Sequence, residues 1–180
     1  MKRTRTAVLG VGNILEYDDG IAVYACAYLE ANYDFEPAVR IINGGVEGIN
    51  LLDVFLEHDR VFILDAIALD DAPGSIYHIP SFELSGYGLN SGGAHEIGVM
   101  QCIDMLELMD RPQPESSVVG IVPERVELRI GLTATLAGAF GHYVDTVLDI
   151  LRASGIDIHP RKTVQPLERV IASFQFPKKA

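Results

Sequence analysis

The sequence has no apolar run long enough to cross a lipid bilayer, which needs about 20 consecutive apolar residues. Its start is basic, with Lys2, Arg3 and Arg5, as in a secretory signal. However, the apolar stretch that follows is broken after a few residues by Gly10 and Gly12. This pattern predicts a strand and a loop rather than an export signal. We therefore expect no membrane insertion and a cytoplasmic location.

Cysteine is also scarce, and the two in the chain, Cys26 and Cys102, lie far apart. The short Cys-x-x-Cys spacing that marks many metal sites and redox motifs is therefore excluded. Each cysteine falls in a segment whose apolar residues recur at helical spacing, without a sequence cue for nucleophilic catalysis. We expect both to be free, buried thiols.

Basic residues are few relative to acidic ones. The chain has 14 lysines and arginines against 25 aspartates and glutamates, for a net charge of −11. A chain this acidic repels phosphate backbones, which argues against nucleic acid as a partner. The hydrophobic fraction of 48% and the length of 180 residues are ordinary for one globular domain with a single core.

Several catalytic motifs are incomplete or missing. Gly10 and Gly12 begin like a dinucleotide-binding fingerprint, but Leu15 occupies the place of its third glycine. A zincin motif begins at His95, but Val99 stands where its second histidine belongs. The chain also lacks a phosphate-binding Gly-Lys-Ser/Thr loop and the Gly-x-Ser-x-Gly elbow of serine hydrolases. The hypothesis of a nucleotide-binding domain therefore rests on two glycines alone.

What the chain does contain is an alternation of strand and helix patterns. These predict strands at 6–9, 39–42, 60–65, 75–79 and 117–122, and helices at about 18–33, 48–57, 95–109 and 133–153. The link before 75–79 is too short for a helical crossover, so this strand is expected to run antiparallel to its predecessor. We predict one layered α/β domain with a mostly parallel five-stranded sheet, one antiparallel strand and helices on both faces. It spans residues 1–160, and residues 161–180 form a tail whose end is expected to be mobile.

Three side chains are predicted to meet at one edge of this sheet. Asp19 follows the first strand, Asp65 ends the third, and His95 begins the third helix. In open α/β sheets, ligands gather beyond the carboxyl ends of the strands. Two carboxylates and an imidazole suit a divalent metal ion with open coordination positions.

Each of these residues also has a structural alternative when it is taken singly. Asp19 is then only a helix-start charge, Asp65 caps its strand or the next turn, and His95 is a helix N-terminal residue without a ligand role. The neighbouring Asp18 is interpreted as a helix-start charge, in preference to a support for the metal ligands.

Five short motifs follow one another in an order that is specific when they are taken together. They are Gly10-Val11-Gly12-Asn13-Ile14-Leu15 with Asp18-Asp19-Gly20, Asp65-Ala66-Ile67 with Pro73-Gly74, His95-Glu96-Ile97-Gly98, Val119-Gly120-Ile121-Val122-Pro123-Glu124, and Gly131-Leu132-Thr133. This order resembles that of the hydrogenase maturation proteases, cytoplasmic endopeptidases that remove a C-terminal extension from the large-subunit precursor of nickel–iron hydrogenase. The resemblance covers about residues 7–160.

The resemblance implies that Asp19, Asp65 and His95 bind a divalent metal and act in catalysis through it. The expected chemistry is hydrolysis of a peptide bond in the precursor, with the metal polarising the carbonyl and lowering the pKa of its bound water. That metal is either a zinc-like ion of the protease or the nickel already installed in the substrate, and the ligand set permits both. The alternative is a non-cleaving, metal-reading assembly chaperone for the same precursor. We expect a monomer.

The glycine pair after the second strand departs from the family pattern. An aspartate commonly precedes this pair in the family, whereas Asn43 precedes Gly44 and Gly45 here. A neutral amide binds metal more weakly than a carboxylate, which puts a role in sensing nickel in doubt. We nevertheless expect these three residues, together with the loop at 81–93, to border the peptide-binding groove, although glycine-rich turns often have only a structural role.

Overall fold

The computed structural model describes residues 4–83 and 94–175, and describes side chains over 4–83 and 98–175. The strands are β1 (Thr6–Val11), β2 (Tyr33–Glu36), β3 (Val39–Gly45), β4 (Arg60–Ala66), β5 (Ile76–Pro80), β6 (Glu115–Ile121) and β7 (Asp157–Pro160). The helices are α1 (Ile21–Asn32), α2 (Leu52–Glu57), α3 (Ala94–Leu108), α4 (Ala134–Ala153) and α5 (Leu167–Gln175). Two short 3-10 turns, Tyr17–Gly20 and Gly48–Leu51, precede α1 and α2.

The main sheet has five strands in the order β3-β1-β4-β6-β5. The pairs β1–β3, β1–β4 and β4–β6 are parallel, whereas β5 runs antiparallel to β6. This confirms the predicted α/β sheet with one antiparallel strand. Strand β5 pairs with β6. It does not pair with β4, the strand that comes before it in the sequence.

Both faces of the sheet are covered by helices, as predicted. Alternate residues of the central strands point to opposite faces, so Phe62 and Leu64 of β4 join one core cluster while Val61 and Ile63 join the other. The first cluster includes buried residues of α1 and α4, and the second includes buried residues of α2 and α3. Burial on both faces explains why the sequence of β4 is almost continuously apolar.

A second, two-stranded sheet was not predicted. Strands β2 and β7 pair antiparallel, with Tyr33 opposite Pro160 and Glu36 opposite Asp157. Both strands have only four residues and lie more than a hundred positions apart in sequence. Neither strand is therefore recognisable without the tertiary structure that brings them together.

The segment after Pro160 was expected to be a tail, but it contains α5, which packs against α1. Its apolar residues Leu167, Val170, Ile171 and Phe174 share one helical face, and the Phe174 ring meets that of Tyr24 edge-on at 5.4 Å between centroids. The expected mobile end, residues 176–180, lies outside the described residues. Within the described ranges, no helix has the length and apolarity to cross a bilayer.

Candidate functional site

By the general rule for open α/β sheets, the strand order places a crevice at the carboxyl ends of β1 and β4. From β1 the chain passes to β3 on one side, and then returns to β4 on the other side. At such a reversal the crossover connections diverge, which leaves an opening where ligands commonly bind. The 3-10 turn Tyr17–Gly20, which follows β1, lies against β4. Two of the three predicted ligands, Asp19 and Asp65, therefore lie at this crevice.

Asp19 is held in a tight turn and is only 6% exposed. The backbone N–H of Asn13 donates a hydrogen bond to its Oδ2 at 2.7 Å. Gly12 has φ of +139°, and a Cβ at this position would lie 2.1 Å from the Asp19 carbonyl oxygen. The loop after β1 therefore requires glycine, because only glycine permits both this backbone conformation and this close approach.

Asp65 is the penultimate residue of β4 and is 3% exposed. The hydroxyl of Tyr143 donates to the Val119 carbonyl at 2.7 Å, and the Asp65 backbone lies near the same hydroxyl oxygen. Burial raises the pKa of Tyr143 well above its ordinary value, and the negative charge of Asp65 adds to the shift. Tyr143 of α4 is therefore a neutral phenol that is hydrogen-bonded to β6 and lies beside Asp65 of β4.

His95 is the second residue of α3, but its side chain lies outside the described side chains. The backbone of α3 nevertheless places its first turns near the same edge. A Cβ on Gly98 would lie 2.4 Å from the Cα of Gly48, so α3 contacts the 3-10 turn that follows β3. Among the side chains that are described, no three His, Cys, Asp or Glu residues are grouped to hold a metal ion.

The predicted substrate-binding residues lie at the carboxyl end of β3. Asn43 is exposed and pairs with Gly10 of β1, and the register shifts by one residue before Gly45. The carbonyl of Gly45 accepts a hydrogen bond from the N–H of Gly12 at 3.0 Å, which joins this segment to the turn of Asp19. Most of the loop at 81–93, also expected to border the groove, lies outside the described residues.

A shallow pocket of about 230 Å³ opens beside these residues. Gly12, Asn13, Asn43 and Gly45 line it together with Phe174 of α5. Phe174 was missed by the sequence analysis, because nothing in the sequence indicated that the segment after Pro160 folds back onto α1.

The sequence analysis interpreted Asp18 as a charge at the start of the first helix, and the structure corrects this interpretation. The Asp18 side chain is fully buried and bonds instead to the loop between β6 and α4. Oδ2 accepts from the N–H groups of Glu124 and Arg125 at 3.0 and 2.9 Å and from the Thr133 hydroxyl at 2.9 Å. Oδ1 accepts from the Thr133 N–H at 2.7 Å. Sequence patterns gave no signal for this role, because the donors lie 106 or more positions away.

Comparison with families of known proteins identifies one family model that covers most of this site. The hydrogenase maturation protease model matches residues 23–150. This range includes Asp65 and the position of His95, and it begins four residues after Asp19.

Individual relatives agree with this match. The hydrogenase 2 maturation protease of Escherichia coli strain K12 is 33% identical over 161 residues, which are 89% of this chain and 98% of the relative. The hydrogenase expression/formation protein HupD of Rhizobium leguminosarum bv. viciae is 29% identical over 159 residues, covering 87% and 79% of the two chains. Among solved structures, the hydrogenase maturating endopeptidase HybD from Escherichia coli aligns with a TM-score of 0.80 at 33% identity, over 87% of this chain and 98% of that one.

Proposed function

Because this chain belongs to the hydrogenase maturation protease family, we propose that it is a metal-dependent endopeptidase. Its substrate would be the precursor of a nickel–iron hydrogenase large subunit, from which it removes the C-terminal extension after nickel insertion. The observation that carries this proposal is the pair of buried carboxylates, Asp19 and Asp65, at the crevice between β1 and β4.

The donor chemistry of these residues fits a divalent metal. Carboxylate oxygens and an imidazole nitrogen bind zinc, nickel and related ions, and Asp19, Asp65 and His95 would supply them. When bound, the metal would polarise the scissile carbonyl and promote ionisation of a water. Ligand oxygens that are already held in place lose little entropy when a metal binds, and the Asn13 N–H holds Oδ2 of Asp19 in this way.

The source of the metal is part of the proposal. If the ion is the nickel of the precursor, Asp19, Asp65 and His95 would bind it as part of the substrate, and cleavage would report that nickel has been inserted. If it is a zinc-like ion of the protease, the same residues would hold it permanently. Asn43 brings no negative charge to this edge, so the aspartates at positions 19 and 65 would provide the negative charge for either ion.

The pocket beside Asn43 and Gly45 supports a place for the substrate chain. Glycine backbones allow another backbone to approach closely, and Asn43 offers both a donor and an acceptor to a peptide. We therefore assign Asn43, Gly44 and Gly45 to one wall of the peptide groove. A monomeric enzyme that acts in the cytoplasm is consistent with this role.

Mass spectrometry of a nickel-loaded precursor, incubated with the protein, tests the proposal. We expect the wild-type protein to remove one C-terminal peptide, and the His95→Ala and Asp65→Asn variants to lose the activity by at least about 100-fold. His159→Ala is the matched control, because His159 lies in β7 and is exposed, and it should retain full activity.

Two other outcomes would contradict parts of the proposal. Cleavage by His95→Ala at the wild-type rate would remove His95 from the site while keeping the peptidase. Stable binding of the precursor without cleavage would favour a metal-reading chaperone instead.

A further inference from the structure

The turn that carries Asp19 is joined to the loop between β6 and α4 by more than the side chain of Asp18. The Tyr17 N–H donates to the Arg129 carbonyl at 2.7 Å, and the Arg129 N–H donates to the Leu15 carbonyl at 2.8 Å. The Arg129 guanidinium also lies 4.8 Å from the centre of the Tyr17 ring. These contacts fix the outer part of the turn, whereas the Asp18 carboxylate fixes its buried part.

Asp18 connects this turn to the N-terminus of α4 through Thr133. The Thr133 hydroxyl caps the helix by accepting from the Leu136 N–H at 3.3 Å, and it donates to Asp18 Oδ2 at 2.9 Å. A carboxylate is favoured here, because unpaired N–H groups make the N-terminus of a helix partially positive. The turn is therefore attached to the beginning of a 20-residue helix.

The same helix contacts the other predicted carboxylate ligand. Tyr143 lies ten positions after Thr133, or about 15 Å along the helix axis. Its hydroxyl donates to Val119 of β6 at 2.7 Å, and Val119 pairs with Leu64, the residue before Asp65 in β4. The side chains of Tyr143 and Leu136 are both fully buried. One rigid helix thus contacts the turn of Asp19 at its start and the strand of Asp65 further along.

We infer that α4 is a spacer that sets the separation of Asp19 and Asp65, with Asp18 and Tyr143 as the positioning residues at its two contacts. The inference rests on the proposed function, since it assigns a role to these contacts in metal binding. Neither residue needs to touch the metal or the substrate. Each acts through the backbone of the ligand beside it.

The first test compares metal binding by calorimetry with Zn²⁺ and with Ni²⁺, at a temperature where every variant is fully folded. Loss of a residue that orients a metal ligand typically weakens affinity by about 10- to 100-fold, and we expect this for Asp18→Asn. Tyr143→Phe should produce a smaller loss of the same kind. Asn32→Ala is the matched control. Asn32 is the last residue of α1, far from the turn of Asp18, is 1% exposed, and forms hydrogen bonds with the backbone of Gln165. The substitution should lower stability without changing affinity.

The second test needs neither metal nor substrate. Hydrogen exchange, followed by NMR, reports the Asn13 amide, which donates to Asp19. In Asp18→Asn we expect this amide to exchange at least about tenfold faster, and in Asn32→Ala to exchange as in the wild type. Thr133→Val, which removes the hydroxyl, should give an intermediate increase in the exchange rate of this amide. Thr133→Ser keeps the hydroxyl, so its Asn13 amide should exchange as in the wild type.

The inference is overturned if the Asn13 amide and the metal affinity are both unchanged in Asp18→Asn while the amides of Glu124 and Arg125 lose protection. Asp18 would then hold only the loop. Failure of the proposed function has a different result. The wild type would then bind metal, Asp18→Asn and Tyr143→Phe would bind it more weakly, and no precursor would be cleaved. If the wild type binds neither ion, exchange of the Asn13 amide still decides whether Asp18 positions Asp19.

Discussion

At the scale of single residues, Asp18 and Asp19 are adjacent in sequence but have separate surroundings. Asp19 lies at the crevice, with its Oδ2 bonded to the loop after β1. Asp18 points into the protein and accepts from three residues of a distant loop and helix. The sequence analysis predicted Asp19 to be a metal ligand and interpreted Asp18 only as a charge at the helix start. It missed the buried role of Asp18, because local patterns contain no information about donors from another part of the chain.

Gly12 leads to a prediction about the same turn. Alanine at this position combines an unfavourable φ with a contact of 2.1 Å between its Cβ and the Asp19 carbonyl oxygen. We expect Gly12→Ala to lower the free energy of unfolding by about 1–3 kcal/mol or more, as measured by urea denaturation. Gly138→Ala is the control, because nothing lies within 4 Å of a Cβ there. Removing this helical glycine should raise stability by about 0.5–1 kcal/mol; equal losses in both variants would contradict the argument.

Cys26 gives a prediction about reactivity. Both cysteines are free and buried, which confirms the sequence analysis, and burial raises the pKa of the Cys26 thiol to about 12. At pH 8 the thiolate fraction is therefore very small, and iodoacetamide should leave Cys26 unmodified in the native protein. In urea the same reagent should label it readily, as judged by mass spectrometry. Rapid labelling of the native protein would show that the thiol is accessible.

At the scale of elements, the strands were the most predictable part of the fold. Because a strand such as β4 is buried on both faces, its sequence is a short, almost continuous apolar run. That pattern is typical of a buried strand and can be recognised in the sequence alone. By contrast, β2, β7 and α5 depend on partners that are distant in sequence. The α5 helix has its apolar residues on one face, but whether that face is covered depends on α1, which no local pattern reveals.

The packing of α5 is tested by two valines. Val170 is 5% exposed in α5, whereas Val164, just before the helix, is 58% exposed. Truncating the buried side chain removes two methyl groups from the packed interior, so Val170→Ala should lower the free energy of unfolding by about 1–2.5 kcal/mol. Val164→Ala should change it by no more than about 0.5 kcal/mol. If chemical denaturation gives the same small change for both, α5 does not contribute to the stability of the domain.

At the scale of the whole molecule, the candidate site combines elements from most of the chain. Asp19 follows β1, Asp65 is the penultimate residue of β4, and the residues proposed to border the groove end β3. The α4 helix lies beside the first two. The prediction that Asp19, Asp65 and His95 form one site came from a general rule about sheet edges. In the described structure, Asp65 lies near the carboxyl end of β4, and the turn of Asp19 lies against that strand. Only the position of His95 in α3 is described. That the three residues form one site stays a prediction.

Metal binding should therefore change the stability of the whole domain. A ligand that binds only the folded state raises the free energy of unfolding, by about 2.7 kcal/mol at a hundred times its dissociation constant. We expect Zn²⁺ or Ni²⁺ to raise the thermal midpoint of the wild type, and a chelator to reverse the change. In Asp19→Asn and Asp65→Asn the increase should be lost. An equal increase in these variants would mean that the ion binds elsewhere.

The contacts of Asp18 also have a consequence for synthesis on the ribosome. The chain emerges from its N-terminus, so β1 and the turn of Asp18 are made long before Thr133, which lies 115 positions later. Until then the carboxylate has none of its donors from this loop, and burying it without them is unfavourable. A nascent chain that ends before α4 should consequently keep its N-terminal turn sensitive to proteases. Completion of the last third of the polypeptide would make that turn resistant and assemble the site in the same step.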